Sequence, residues 1–68
     1  MTMIPVESSH INQVGFNEET QELTVEYSTG TYIYEGCTKN MFEALLNSPS
    51  KGRYINDYFR GVKYRKVG

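Results

Sequence analysis

The sequence predicts an α+β domain: an antiparallel three-stranded meander, then two short helices packed on one face, then a short closing edge strand. Three observations predict it. Apolar and polar residues alternate in the first half, apolar residues fall at helical spacing in the second, and turn residues separate the runs. The 68 residues form one domain, with its core over about residues 6–67 and no linker, repeat or low-complexity stretch. So small a domain usually needs a staple. Cys37 is alone, so no internal disulfide forms, and one His and one Cys far apart make no metal site. A partner subunit is the staple that remains, and a homo-oligomer is expected.

Residues 11–16 form the first strand, with Val14 and Phe16 on one face. Residues 17–21 are a polar turn. Residues 22–27 alternate, with Leu23, Val25 and Tyr27 inward and Glu22, Thr24 and Glu26 outward. After Ser28, Thr29 and Gly30, residues 31–35 are rich in β-formers, and Gly36 ends that strand. Thr38 is a good N-cap. Met41, Phe42, Leu45 and Leu46 then share one helix face, and Asn47, Ser48 and Pro49 stop the helix. Ser50 caps a second helix, in which Tyr54, Ile55, Tyr58 and Phe59 repeat the spacing and Gly61 closes it. Residues 62–67 are short, β-prone and basic, as suits an edge strand whose Lys and Arg discourage further pairing.

The turn between the second and third strands decides where two tyrosines point. A three-residue loop with Gly30 left-handed pairs Tyr27 with Thr31 and Val25 with Ile33. Ile33 then joins the core, and Tyr32 and Tyr34 stand on the other face beside Thr24 and Glu26. A two- or four-residue loop reverses this. Gly30 favours the first arrangement. Two tyrosines exposed on a sheet would serve as a base-stacking platform or an oligomer interface; otherwise they simply pack.

Charge is sorted by half. Residues 1–36 hold six acids and no Lys or Arg, and residues 37–68 hold seven bases against Glu43 and Asp57, giving −6 and +5 in a chain of net charge −1. Either the halves neutralise each other across the fold, or the basic half, which carries Tyr54, Tyr58 and Tyr64, meets phosphates and bases. The slightly negative total argues against a general polyanion binder and favours a small phosphorylated ligand. Residues 48–53 are the most suggestive segment. Lys51 and Arg53 open a helix where the dipole prefers acids. The free N–H groups, the Ser50 hydroxyl and both cations can hold a phosphate, and Gly52 permits close approach. Arg60, Lys63 and Arg65 are weaker phosphate candidates; the plain alternative for them is a solvated edge. Walker spacing is absent, and no cofactor motif is present.

No catalytic constellation emerges. His10 has no evident partner. Cys37 lies between a strand and a helix start, a place that lowers a thiol pKa, yet no base is marked beside it, and a small buried Cys is the simpler reading. Glu18 and Glu19 lie in a turn. No apolar run reaches the ~18 residues of a membrane span, and residues 1–6 lack the features of a leader. With a lone cysteine, that fits a reducing, cytoplasmic setting.

From about Val6 to Val67 the chain resembles the KTSC domain, a short module named for its occurrence at the C-terminus of some lysyl-tRNA synthetases and also found as a free-standing bacterial or phage protein. The resemblance rests on Val6, Glu7, Ser8 and Ser9; on Val14, Gly15 and Phe16; on Leu23 and Val25; and on Gly30 followed by Tyr32, Ile33 and Tyr34, which looks like the family's central Tyr-x-Tyr motif. Phe42, Leu45, Ser50, Gly52, Tyr54, Asn56, Arg60 and Tyr64 continue it. Cys37 and Thr38 depart from an expected apolar residue and proline, though Thr38 still caps the helix. The resemblance implies no catalytic residues and a role in nucleic-acid binding.

Three functions are weighed. The first is a non-catalytic nucleotide binder, with Lys51, Arg53 and Arg60 on phosphates and Tyr32, Tyr34, Tyr54 or Tyr58 on bases. Its sites would lie at the interfaces of a homo-oligomer, and a phage-encoded form would sequester a cyclic-nucleotide immune signal. The second is an RNA-binding accessory module for tRNA or single-stranded RNA. The third is a protein–protein adaptor with tyrosine hot spots. The net charge favours the first.

Overall fold

Each stretch of alternating residues becomes a strand paired with its sequence neighbour. The computed structural model describes residues 2–68: β1 (Met3–Pro5), β2 (Ile11–Asn17), β3 (Glu22–Tyr27), β4 (Gly30–Tyr34), α1 (Lys39–Asn47), α2 (Lys51–Tyr58) and β5 (Tyr64–Lys66). The strands form one antiparallel sheet in the order β1-β2-β3-β4-β5. The α+β class holds, with one more strand than expected. The addition is β1, which pairs Met3 with Gly15 and Ile4 with Val14. Three residues ending in proline show no alternation to read, and proline fits a strand only at an edge.

The helices begin and end for local reasons. The Thr38 hydroxyl accepts from the Met41 N–H at 3.2 Å, and α1 stops at Asn47, just before Ser48 and Pro49. Ser50 occupies the N-cap position of α2 without a side-chain cap bond. Ser48 organises this corner instead, its hydroxyl donating to the Ser50 carbonyl at 2.9 Å and accepting from the Ser50 N–H at 3.2 Å. Gly61 does not close α2: the helix ends at Tyr58 with Phe59 as C-cap, and the positive-φ glycines are Gly30 and Gly36. Phe59 is drawn into the core, 3% exposed, and the turn continues through Val62 N–H to the Phe59 carbonyl.

The register of β3 and β4 overturns the expected one. Only Ser28 and Thr29 lie in the turn, so Tyr27 pairs with Gly30, Val25 with Tyr32 and Leu23 with Tyr34. Tyr32 and Tyr34 therefore face the helices, and Ile33 lies on the opposite face beside Thr24. This register buries large rings in place of one isoleucine: Tyr34 is 8% exposed and meets Phe59 edge-on at 5.2 Å. Gly30 serves another purpose than a left-handed turn. At φ +154° its missing Cβ leaves room for the Gly68 carbonyl, 2.6 Å from where that atom would stand, and for Lys66 Cε at 2.8 Å.

Both helices cover one face of the sheet. Leu45 of α1 and Ile55 of α2 enter a core with Ile11, Val14, Leu23 and Val25, while Phe42 stacks on Phe16 at 5.7 Å. The opposite face carries Glu22, Glu26 and Glu35. There Arg65 forks between Glu22 and Glu35, at 3.0 Å from each. Its guanidinium, by hydrogen bond first, holds the Glu22 carboxyl below the usual carboxylate range. The neutralisation of one half by the other is thus carried by Arg65 and by the exposed Lys39–Glu18 pair at 3.5 Å. Alternation turns Tyr64 and Lys66 to the helix-covered face, since Tyr34 pairs with Tyr64 and Tyr32 with Lys66.

Candidate functional site

Where β3, β4 and β5 run past the end of α2, the helix leaves part of the sheet uncovered. The result is a concave pocket of about 360 Å³ lined by Tyr27, Thr29, Tyr32, Tyr34, Ile55, Asn56, Phe59, Arg60 and Tyr64. That volume lies at the lower end of the range for small-molecule sites. Strand alternation supplies its tyrosines. Tyr32 meets Tyr27 edge-on at 5.4 Å and Tyr64 at 5.8 Å, and Tyr34 meets Tyr64 at 5.7 Å. Tyr64 remains 58% exposed, with its ring open at the pocket.

The Tyr27 and Tyr34 hydroxyls share a hydrogen bond at 3.1 Å. Burial pushes both phenols above their ordinary range. A phenol raised on folding stabilises the protein fully below the ordinary tyrosine pKa of about 10, and the stabilisation is lost as pH rises through the raised values. In an alkaline titration followed by tyrosinate absorbance, two of the six tyrosines should ionise late, together with unfolding. Six tyrosines ionising together while the fold persists would refute the buried pair.

Asn56 of α2 and Arg60, in the turn just beyond the helix, bring polar groups to the rim. Arg60 is exposed and makes no ion pair or side-chain hydrogen bond among the described residues. No carboxylate lines the pocket.

The other expected site residues lie on a different side of α2. A second hollow of about 310 Å³ is lined by Ser48, Pro49, Ser50, Arg53, Tyr54, Asp57 and Tyr58. Its charges are met internally: Arg53 lies 3.6 Å from Asp57, and the Lys51 ammonium, just outside the hollow, donates to the Ser48 carbonyl at 2.7 Å. Tyr54 and Tyr58 stack on each other at 4.5 Å. Lys51 and Gly52 line neither hollow. So Tyr32, Tyr34, Tyr64 and Arg60 come together, while Ser50, Lys51, Gly52, Arg53, Tyr54 and Tyr58 stay apart from them. Sequence reasoning missed Tyr27 and Asn56 as site residues. The parity of Tyr27 with Leu23 and Val25, and the four-residue spacing of Asn56 and Arg60, were the signals available.

Elsewhere the chemistry is quiet. Cys37 is fully buried with its Sγ 3.7 Å from the Tyr34 carbonyl, and burial pushes its thiol up, away from nucleophilic reactivity. Among the described residues no group of three potential ligands could hold a metal, and no helix is long and apolar enough to cross a membrane.

Five residues of the family resemblance, Tyr32, Tyr34, Asn56, Arg60 and Tyr64, line the pocket of about 360 Å³. The family profile of the KTSC domain matches residues 7–64. The chain belongs to the KTSC domain family. Its fold agrees with the crystal structure of a KTSC domain protein from Yersinia pestis, at a TM-score of 0.92 and 29% identity over 98% of this chain and 97% of that one. An uncharacterized protein of Stutzerimonas stutzeri is 36% identical over 96% of this KTSC domain and 93% of its own length. A lysine–tRNA ligase of Nostoc punctiforme is 35% identical over 87% of the domain, which spans 11% of that ligase.

Proposed function

We propose that this KTSC domain is a non-catalytic nucleotide-binding protein that holds its ligand in the tyrosine pocket. The observation that carries the reading is the company of Arg60 and Asn56 beside four tyrosines, with no carboxylate in the lining. Tyrosine rings accept a stacked base of any sequence, worth about 1–3 kcal/mol per base. The guanidinium grips phosphate in bidentate fashion. The Asn56 amide both donates and accepts, as a base edge requires. The Tyr27 and Tyr34 phenols resist ionisation and the Cys37 thiol is buried, which supports holding a ligand over converting it. The pocket is open on one side, and a second copy across its mouth would enclose the ligand in a homo-oligomer. A phage-encoded protein of this kind would act by sequestering a cyclic-nucleotide immune signal.

The test is a thermal-shift panel of cyclic di- and trinucleotides, mononucleotides and short single-stranded RNA, with oligomeric state followed by light scattering. A ligand at about 100 times its dissociation constant adds about 2.7 kcal/mol, a shift of roughly 10 °C or more for a domain of this size. Arg60→Ala should keep the melting temperature of the free protein and lose at least about tenfold in affinity. A flat panel, or an Arg60→Ala protein that binds undiminished, would overturn the reading and leave a protein–protein adaptor.

A second reading is an RNA-binding accessory module, favoured by the similarity to part of a lysine–tRNA ligase. It predicts a shift with RNA alone, and an affinity that falls steeply with salt as several phosphate contacts release counterions.

A further inference from the structure

Three consecutive residues of β5 point to alternate faces and meet different fates. Arg65 turns to the acidic face and is spent on Glu22 and Glu35. Tyr64 and Lys66 turn to the pocket side. Lys66 pairs directly with Tyr32, a lining residue, and its stem crosses Gly30: a Cβ there would stand 2.8 Å from Cε and 3.5 Å from Nζ. The side chain therefore runs along the end of the turn whose Thr29 lines the pocket. Lys66 makes no ion pair or side-chain hydrogen bond among the described residues.

The sheet keeps Glu22, Glu26 and Glu35 on its other face, and neither Lys66 nor Arg60 makes an ion pair among the described residues. Arg60 lines the aromatic pocket from beyond α2, and Lys66 of the edge strand, outside the lining, stands next to its Tyr32. One phosphate needs one of them; two phosphates use both, the guanidinium as a planar fork and the ammonium as a compact point charge. Resting on the nucleotide-binding reading, we infer that the pocket takes a nucleotide carrying two phosphate groups, with Lys66 as the second phosphate contact. Nucleoside diphosphates and cyclic dinucleotides share that chemistry.

The test is calorimetric titration of the full chain and of Lys66→Gln, with Lys63→Gln as an exposed control. The probes are the 5′-mono- and 5′-diphosphates of the four ribonucleosides, cyclic di-AMP and cyclic di-GMP. The unaltered protein should prefer a two-phosphate probe over its monophosphate counterpart. Whether that probe is a diphosphate or a cyclic dinucleotide identifies the source. Lys66→Gln should weaken that probe by about tenfold and the monophosphate by less than about twofold, and Lys63→Gln should change neither. Equal weakening of both probes, no weakening of either, a preference for monophosphates, or an equal effect of Lys63→Gln would overturn the two-phosphate inference while nucleotide binding stands. Binding of no probe by the unaltered protein would overturn the nucleotide reading itself.

Discussion

Leu45→Ala should leave this domain close to unfolded at physiological temperature. Leu45 is fully buried and is the one buried residue of α1, with Met41, Phe42 and Leu46 packed partly buried beside it. Truncating a buried leucine costs about 2–5 kcal/mol, because the transfer energy is lost and a cavity is left behind. At about 0.05–0.15 kcal/mol per residue, a chain of this length has roughly 3–10 kcal/mol in total. Cys37 is free, so no disulfide supplies a reserve. The melting temperature followed by circular dichroism should fall by roughly 10–30 °C. Leu45→Met, which keeps the volume, should cost under about 1.5 kcal/mol. A drop of only a few degrees for the alanine variant would show that α1 is held by something other than this contact.

Phe59→Ala should cost about 3–5 kcal/mol and abolish the pocket with it. The ring is 3% exposed and meets Tyr34 edge-on at 5.2 Å and Tyr54 at 6.3 Å. It ties the end of α2 to β4. Its loss removes one wall of the pocket and the support under Tyr34, and edge-to-face aromatic pairs contribute about 0.5–1.5 kcal/mol beyond the buried area. Urea denaturation measures the loss. Phe59→Leu should recover much of the stability while still distorting the pocket wall. A Phe59→Ala protein as stable as the parent would mean that α2 docks without this ring.

The elements set by local chemistry were legible in the sequence. Glu22–Tyr27 alternates without interruption and is a strand over those bounds, and Thr38 caps α1 as its hydroxyl predicts. What was not legible depended on distant parts of the chain. The β3–β4 register turned on Gly30, and local turn chemistry assigned that glycine a left-handed loop position. Its actual neighbours are Lys66 and Gly68, which arrive only after both helices. Likewise Phe59, an ordinary helix-face residue in the sequence, meets Tyr34 edge-on on the helix-covered face, a contact that no local pattern announces. The expected site residues do not gather in one place. Arg60 and three of the tyrosines share a pocket, while Lys51 and Arg53 find local partners in Ser48 and Asp57. Charge segregation along the chain was visible; its conversion into segregation between the two faces of the sheet required the register of β5.

The strand order has a kinetic consequence. From β1 to β4 each strand meets its neighbour across a short loop, so those pairings close at low entropic cost and form early. The β4–β5 pairing spans both helices and must wait for them. Tyr64, Arg65 and Lys66 all ride on that last strand. A nascent chain would therefore present a nearly complete sheet before it had a complete pocket. Occupancy of the pocket would then slow the detachment of β5 in particular, and amide exchange at Thr31 and Glu35, which donate to Gly68 and Lys63, would slow first when a ligand is bound.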